Sequence, residues 1–482
     1  VAHEAVIGLE CHVQLRTRSK MFCACPAGYG AAPNSRLCPV CLGLPGALPR
    51  ANRAAVEAGL RLGLALGCDV PERSVFARKN YFYPDMPKGY QITQYEAPLC
   101  TGGALPVAGP GGPVRVPLTR IHLEEDTGKS LHPARGDRPR SRLDFNRAGV
   151  PLVELVTGPV LREPAACAAF VAALRHLVRW LGVSDGDMEK GQLRCDANVS
   201  LRPRGSTALG VKTELKNLNS IHGVERGLAA EIARQRALLE AGGAVVPATL
   251  LYDVEHGRLE VMREKESAHD YRYFPDPDLP PVVVDGAWRE AARAALPELP
   301  WARAGRLAAA HGLTAREAGV LCGQRELADY FEACAAVAGG RAAAHWVARE
   351  VLGSLRGLDW TIGRFAVQVP AGRLGELAAR VAGQSLPGPL GRRVFGWMLK
   401  EPGSVDELLA RHGVRALADE DELRPLVLAV LAEHGEVAGQ VRAGRAKAFE
   451  FLVGVVLRRS GGGADPAAVR VLLRAALEQD GP

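Results

Sequence analysis

The residues 7–16, Ile-Gly-Leu-Glu-Cys-His-Val-Gln-Leu-Arg, place a carboxylate (Glu10) and an imidazole (His12) two positions apart. Three more segments repeat the theme: His122, Glu124 and Asp126 at alternate positions; Arg194, Asp196 and Asn198; Lys212, Glu214 and Lys216. Carboxylates gathered on one surface repel each other, and a divalent cation relieves that repulsion. Carboxylate, amide and imidazole groups are also ligand types for such an ion. A second group is formed by Cys23-Ala-Cys25 and, after twelve residues, Cys38-Pro-Val-Cys41. Two close pairs of thiolates meet the demand of Zn²⁺ for four tetrahedral ligands; with all four positions filled, such a site is structural.

The elements that hold these groups follow from parity. Ile7, Leu9, Cys11, Val13 and Leu15 alternate with Gly8, Glu10, His12, Gln14 and Arg16, which is the pattern of a strand with one face in a core. Segments 120–127, 194–202 and 211–216 alternate in the same way, so four strands are expected, each with an acid near the centre of its polar face. Glu125 falls on the apolar parity and reaches the polar face only at a bulge or a strand end. On pattern alone the polar face is either solvated or a metal site. Gly128-Lys-Ser130 is not a phosphate-binding P-loop: Leu123 stands where the pattern needs glycine, and the preceding residues are acidic. The runs Arg78–Tyr90 and Met262–Phe274 interleave basic and aromatic residues, which suits either nucleotide stacking or an ordinary loop with core aromatics.

The 482 residues predict two to four domains. Apolar content of 47% and charged content of 23% are those of a globular protein, and no apolar run reaches the ~20 residues of a membrane span. The N-terminal Val-Ala-His-Glu-Ala-Val lacks a basic start and an apolar stretch, so no signal peptide is expected. An odd count of eleven cysteines argues against a disulfide framework and for a reducing cytoplasm. The net charge of +7 fits an anionic partner without requiring one. Helices are expected over 164–182 and 220–241, then throughout 288–400 (Trp288–Ala295, Ala302–Ala310, Ala315–Leu321, Arg325–Ala338) and again in the last 75 residues, with a turn at Ser460–Pro466. The fold class is therefore α+β with a largely antiparallel sheet, and composition shifts near 290 and 404 suggest domains 1–290, 291–404 and 405–482.

Several segments closely resemble the B-subunit family of the glutamyl/aspartyl-tRNA amidotransferases (GatB). They are Gly8–Leu15, Cys38–Gly46, Arg78–Asp85, His122–Asp126, Asp144–Leu152, Arg194–Ser200, Glu214–Ser220 and Asp270–Pro275, with Lys447–Pro466 in the tail. The resemblance implies a glutamine synthetase-like antiparallel cradle, a helical domain and a small helical tail that grips tRNA. It implies a heterotrimer with an amidase A-subunit and a small C-subunit, and a C–N ligase with glutamine as amido donor. With ATP and Mg²⁺ the side chain of Glu-tRNA(Gln) or Asp-tRNA(Asn) is phosphorylated, and ammonia then gives Gln-tRNA(Gln) or Asn-tRNA(Asn). The matching non-discriminating synthetase is a further implied partner. By position, Glu10, His12, Glu124 and Glu125 are expected to hold Mg²⁺, Asp196 and Glu214 to assist, and Lys79 to lie near the reaction centre. Ala77 and Thr127 depart from the pattern, where aspartate and alanine are expected. Two rivals are a zinc-bearing tRNA-binding protein without catalysis and a free-standing carboxylate–amine ligase.

Overall fold

The computed structural model describes residues 2–109, 112–131, 141–254, 256–264, 270–414, 420–460 and 463–479. Parts of the Met262–Phe274 run and of the Ser460–Pro466 turn therefore lie outside the described residues. The chain forms two compact units, Val1–Leu299 and Pro300–Pro482. No helix among the described residues is long and apolar enough to cross a membrane.

The first unit is built on β1 (His3–Gln14), β2 (Ala77–Asn80), β3 (Tyr90–Thr93), β4 (Cys100–Thr101), β5 (Ala104–Gly109), β6 (Gly112–Glu125), β7 (Pro151–Thr157), β8 (Leu193–Pro203), β9 (Thr213–Leu218), β10 (Ala248–Asp253), β11 (Arg258–Glu264) and β12 (Phe274–Pro275). The main sheet has the order β11-β10-β9-β8-β1-β7-β6-β4, with β5 also paired to β6. Its pairs are antiparallel except β9 with β10, which are parallel. The parallel pair arises because α3 (Ile221–Glu240) crosses over between them.

The expected parity holds on β1: Ile7, Leu9, Cys11, Val13 and Leu15 are all buried. Cys195, Ala197, Val199 and Leu201 continue that apolar face on β8, and Ile121 and Leu123 on β6. Over 211–216 the strand starts later than expected, at Thr213, and Val211 is exposed. α1 (Arg53–Ala65), α2 (Pro164–Trp180) and α3 cover the apolar face, with Phe170, Leu174, Leu177 and Leu228 in one core. Gly59 of α1 lets this helix lie close to the sheet, since a Cβ there would meet Leu99 at 2.8 Å and Leu123 at 3.0 Å. The polar face is covered in part: His122, Glu124, Asp126 and Glu154 are buried, while Glu10, Asp196 and Asn198 are half-buried. A small three-stranded sheet, β12-β2-β3, supplies groups that contact this face.

α2 begins at Pro164, a good first-turn residue, and α3 is capped by Ser220, whose side chain accepts from Gly223 N at 2.9 Å. The helix that carries the composition shift near 290 is α4 (Gly286–Ala294), which is capped by Asp285 and begins two residues before the expected Trp288. It packs within the first unit, with Arg53 over the Trp288 ring at 4.3 Å. The second unit is helical among its described residues, beginning with Pro300–His311, Ala315–Leu321 and Arg325–Ala338. Within it, residues between Leu423 and Leu477 form a core of their own.

A buried polar network fastens α3 to the sheet. Glu231 Oε1 accepts from Thr213 Oγ1 at 2.8 Å and from Gln235 Nε2 at 2.8 Å, and Arg234 closes on the same carboxylate. Glu231→Ala removes the buried charged acceptor shared by Thr213, Gln235 and Arg234, and is expected to lower the stability of the first unit by about 2 kcal/mol, measured from its denaturant midpoint.

Candidate active site

Register brings the chemistry-bearing residues together. His12 lies opposite Glu154 of β7 on one side and Arg194 of β8 on the other, while Glu154 lies opposite His122 of β6. His12 Nε2 is 3.5 Å from Glu124 Oε1 and 3.2 Å from Glu154 Oε2. His122 Nε2 is 3.3 Å from the same Glu154 oxygen and 3.8 Å from Glu124 Oε2. Thr93 Oγ1 of the covering layer donates to Glu124 Oε2 at 3.3 Å. One ligand atom each from His12, Glu124 and Glu154 lie within 4.8 Å of one another. Two carboxylates with an imidazole make a set that a divalent cation can share with substrate oxygens.

Electrostatics follow from burial and neighbours. Burial disfavours the charged His12 ring, but the hydrogen bond and charge of Glu154 and the charge of Glu124 outweigh it and push His12 up to about 9. Burial would raise Glu154, yet His122 and His12 hold its carboxyl well below the usual range. Glu10 is raised, first by burial and then by the charges of Glu154 and Glu214. Burial also works against charge on Lys79, while Glu124 and Glu154 raise it.

Of the residues expected from sequence, His12 and Glu124 stand in this group. Lys79 joins them in lining a cavity of about 560 Å³, together with Tyr81, Arg194 and Asp196. Its ammonium lies over the Tyr271 ring at 4.9 Å. Glu10 is not in the three-residue group; its Oε1 accepts from Asn198 Nδ2 at 2.9 Å. Asp196 and Glu214 share Lys216, each at 3.0 Å from its Nζ.

Glu125 is directed elsewhere. β6 ends there, and its Oε1 takes the Lys88 ammonium and the Ile92 N–H, the latter at 2.9 Å. It lines a separate cavity of about 210 Å³ with Lys88, Tyr90, Cys23 and Cys41. The parity of Glu125 thus places it opposite to Glu124. Sequence reasoning missed Glu154 as a member of the group, and it placed His122 on the polar face without giving it a role. The signal for Glu154 was present: it is the one charged residue in the run Pro151-Leu-Val-Glu-Leu-Val-Thr157. A lone acid in a strand apolar on both faces needs a partner.

Asp126 completes the wall. It is buried and accepts from Arg194 NH2 at 2.9 Å and Gln14 Nε2 at 2.7 Å, with Arg147 Nε at 3.6 Å. Burial would raise its carboxyl, but Arg194 and Arg147 depress it. Gly128–Ser130 leads into a short strand, Lys129–Leu131, paired with Arg142–Asp144, and forms no phosphate loop.

Cys23, Cys25, Cys38 and Cys41 form the second group, with all four sulfurs within 4.8 Å of one another. A zinc tetrathiolate with bonds of about 2.3 Å has sulfur–sulfur edges of roughly 3.8 Å, so a small contraction closes it. The Cys41 thiol is lowered by its hydrogen bond with Cys23, against burial and with help from Cys38 N–H and the Lys20 charge.

The family described as GatB/GatE catalytic domain matches residues 5–290, and a second, described as GatB domain, matches residues 329–477. The chain belongs to the GatB family. It is 45% identical to the aspartyl/glutamyl-tRNA(Asn/Gln) amidotransferase B-subunit of Chlorobium luteolum over 99% of both chains. The proteins of the same name from Moorella thermoacetica and Thiobacillus denitrificans are each 45% identical, over 98% of this chain and 99% of the relative. These matches cover 98–99% of this chain, and both groups lie in the segment matched by the catalytic family.

Two outcomes test this geometry. Glu154→Gln is expected to weaken Mn²⁺ binding by about tenfold or more, while Glu125→Gln changes it by less than about twofold, measured by calorimetry. Asp126 is depressed in the folded chain, so its pairing stabilises above about pH 4 and is lost as the pH falls through the lowered value. Asp126→Asn should therefore show a smaller fall in melting temperature than the parent chain between neutral pH and about pH 3.

Proposed function

We propose that this GatB chain is the component of a tRNA-dependent amidotransferase that phosphorylates the side-chain carboxylate of Glu-tRNA(Gln) or Asp-tRNA(Asn) with ATP and then amidates it. The observation that carries the reading is the His12–Glu124–Glu154 group, with both carboxylates buried, whose His12 and Glu124 line a cavity that also offers Lys79 and Arg194. The relatives' shared name, that of an aspartyl/glutamyl-tRNA(Asn/Gln) amidotransferase B-subunit, supports the substrate class.

A carboxylate does not react with ammonia until one of its oxygens becomes a leaving group. Lys79 and Arg194 present positive charge to an anionic acceptor and to phosphate oxygens in the same cavity. His12, Glu124 and Glu154 would hold Mg²⁺, which when bound neutralises charge on the transferring phosphoryl group. Glu10, Asp196 and Glu214 continue the polar face beside it, and Glu125 with Lys88 lines the neighbouring cavity. Ammonia attacks the acyl carbon, the C–O bond to phosphate breaks, and nitrogen gives up one proton. Glu10, raised by burial and its acidic neighbours, is suited to accept that proton.

Residues 1–299 form the synthetase-like cradle, the expected boundary at 290 moving past α4, which packs in the first unit; 300–404 form a helical domain, and 405–482 a tail that grips tRNA through exposed basic residues such as Arg445, Lys447 and Arg458. The ammonia comes from an amidase A-subunit, with a small C-subunit completing the assembly in the cytoplasm. Cys23, Cys25, Cys38 and Cys41 hold a structural Zn²⁺.

Reconstitution with the amidase and the small third component, glutamine, ATP-Mg²⁺ and misacylated tRNA should give phosphate release that depends on the charged tRNA. Release with the bare tRNA alone, or none at all, overturns the reading. Glu124→Gln is expected to lower amide formation by about 10²-fold or more with tRNA affinity unchanged. Truncation after residue 412 should weaken tRNA binding and reduce its salt dependence, read from binding isotherms at several salt concentrations.

A further inference from the structure

Lys20 is fully buried. Lysine is rarely found so without an anionic partner, because an ammonium removed from water is costly unless its charge is matched. Its Nζ donates to the carbonyl of Arg36 at 2.9 Å and to that of Phe145 at 3.4 Å. Both acceptors are neutral, and no described carboxylate forms an ion pair with it.

The surroundings of Lys20 are the cysteine loop. Its backbone N–H donates to the carbonyl of Cys25 at 2.9 Å. Gly149, at φ +84°, marks where its stem runs: a Cβ built there would lie 3.4 Å from Lys20 Cδ and 3.6 Å from Cys41 Cβ. The lysine stem and the Cys41 side chain thus flank one point. The nearest carboxylate to that point is Glu125, with Oε2 at 3.8 Å, but its other oxygen already holds Lys88 and the Ile92 N–H. Cys41, whose thiol the Lys20 charge helps to lower, is the other anion-forming group beside that point.

We propose that Lys20 is the buried counter-cation of a zinc tetrathiolate, and so a positioning residue for that metal site. This rests on reading the four cysteines as a zinc site. Four thiolates on one Zn²⁺ leave a net double negative charge, which is itself costly to bury. The ammonium offsets part of it, and the tetrathiolate supplies the anion that Lys20 otherwise lacks. The same Nζ tethers the Arg36 carbonyl, between the two cysteine pairs, and the Phe145 carbonyl on the adjacent loop. Charge and tethers together hold the two pairs facing one another.

The test uses the full chain. Lys20→Met keeps the stem and removes the charge, and Lys20→Arg keeps the charge. Bound zinc is counted by metal analysis, and its release to a chromophoric chelator is followed. The parent chain should hold one zinc. Lys20→Met should bind it about 10- to 100-fold more weakly, the range found when an outer-shell partner is lost, and Lys20→Arg should stay near the parent. Melting supplies a second readout. With zinc, Lys20→Met should melt below the parent; after chelation it should not, since methionine buries no uncompensated charge. Equal zinc affinity in the parent and Lys20→Met overturns the proposal. So does equal destabilisation with and without zinc, the result of a packing role alone. Should Lys20→Met not fold, Lys20→Arg decides: zinc held as in the parent supports the charge role, and zinc lost overturns it. A parent chain that binds no zinc sinks the zinc reading itself.

Discussion

Everything in the first unit is arranged around carboxylates taken out of water. Glu124, Glu154 and Asp126 are buried on one face of one sheet. A buried carboxylate without a partner is among the most destabilising features a fold can carry, so each must be matched by a cation or a donor. The matches come from across the sheet and from the layer above it. His12 and His122 flank Glu154, Arg194 and Gln14 close on Asp126, and Thr93 reaches Glu124. The sheet needs its width for this reason: a narrow one could not bring β6, β7, β1 and β8 into one row with the residues in register. The helices on the apolar face then secure that register, because a slip of one residue would turn the whole array into the core.

The end of β6 divides the polar chemistry in two. Glu124 and Glu125 are neighbours in sequence and point to opposite sides. Glu124 joins the histidines, and Glu125 turns to Lys88 and the cysteine loop. The covering layer serves both sides, since Lys79 of β2 lines the larger cavity and Lys88, just before β3, lines the smaller. Two adjacent acids at one strand end thus separate a carboxylate–imidazole group from a lysine-held carboxylate without any additional element.

Parity made much of this legible. The faces of β1, β6 and β8 follow from alternation alone, and so does the separation of Glu124 from Glu125. The cysteine group was legible from its two close pairs. What parity does not carry is burial. A polar face reads the same whether water or a second layer covers it, so the covering strands around Lys79 and Gln91 were visible only as a basic, aromatic run. Glu154 was hidden for a related reason: its strand is apolar on both sides, and such runs lack the alternation that marks a strand. Its register to His12 and His122 is a long-range fact, set by which strands neighbour β1 and not by any local pattern. The parallel pairing of β9 and β10 is likewise a consequence of the crossover helix.

The tail shows the opposite limit, where composition overstates chemistry. Within 442–474 the sequence carries seven basic residues against two acids, which reads as a strongly cationic surface. The folded tail uses several of them internally. Arg459 pairs with Glu433 and Arg470 with Glu450, Arg442 donates to the Leu477 carbonyl, and Arg474 lies over the Phe449 ring. Arg445, Lys447 and Arg458 stay exposed with no ion pair among the described residues. Only Arg459 and Arg470 are neutralised by acids, while the carbonyl contact of Arg442 and the ring contact of Arg474 hold those side chains in place without removing their charge, so the tail surface is less cationic than its count of seven suggests. The rest of the basic content is spent on holding short helices together around a small core, where exposed pairs each contribute little but define which faces meet.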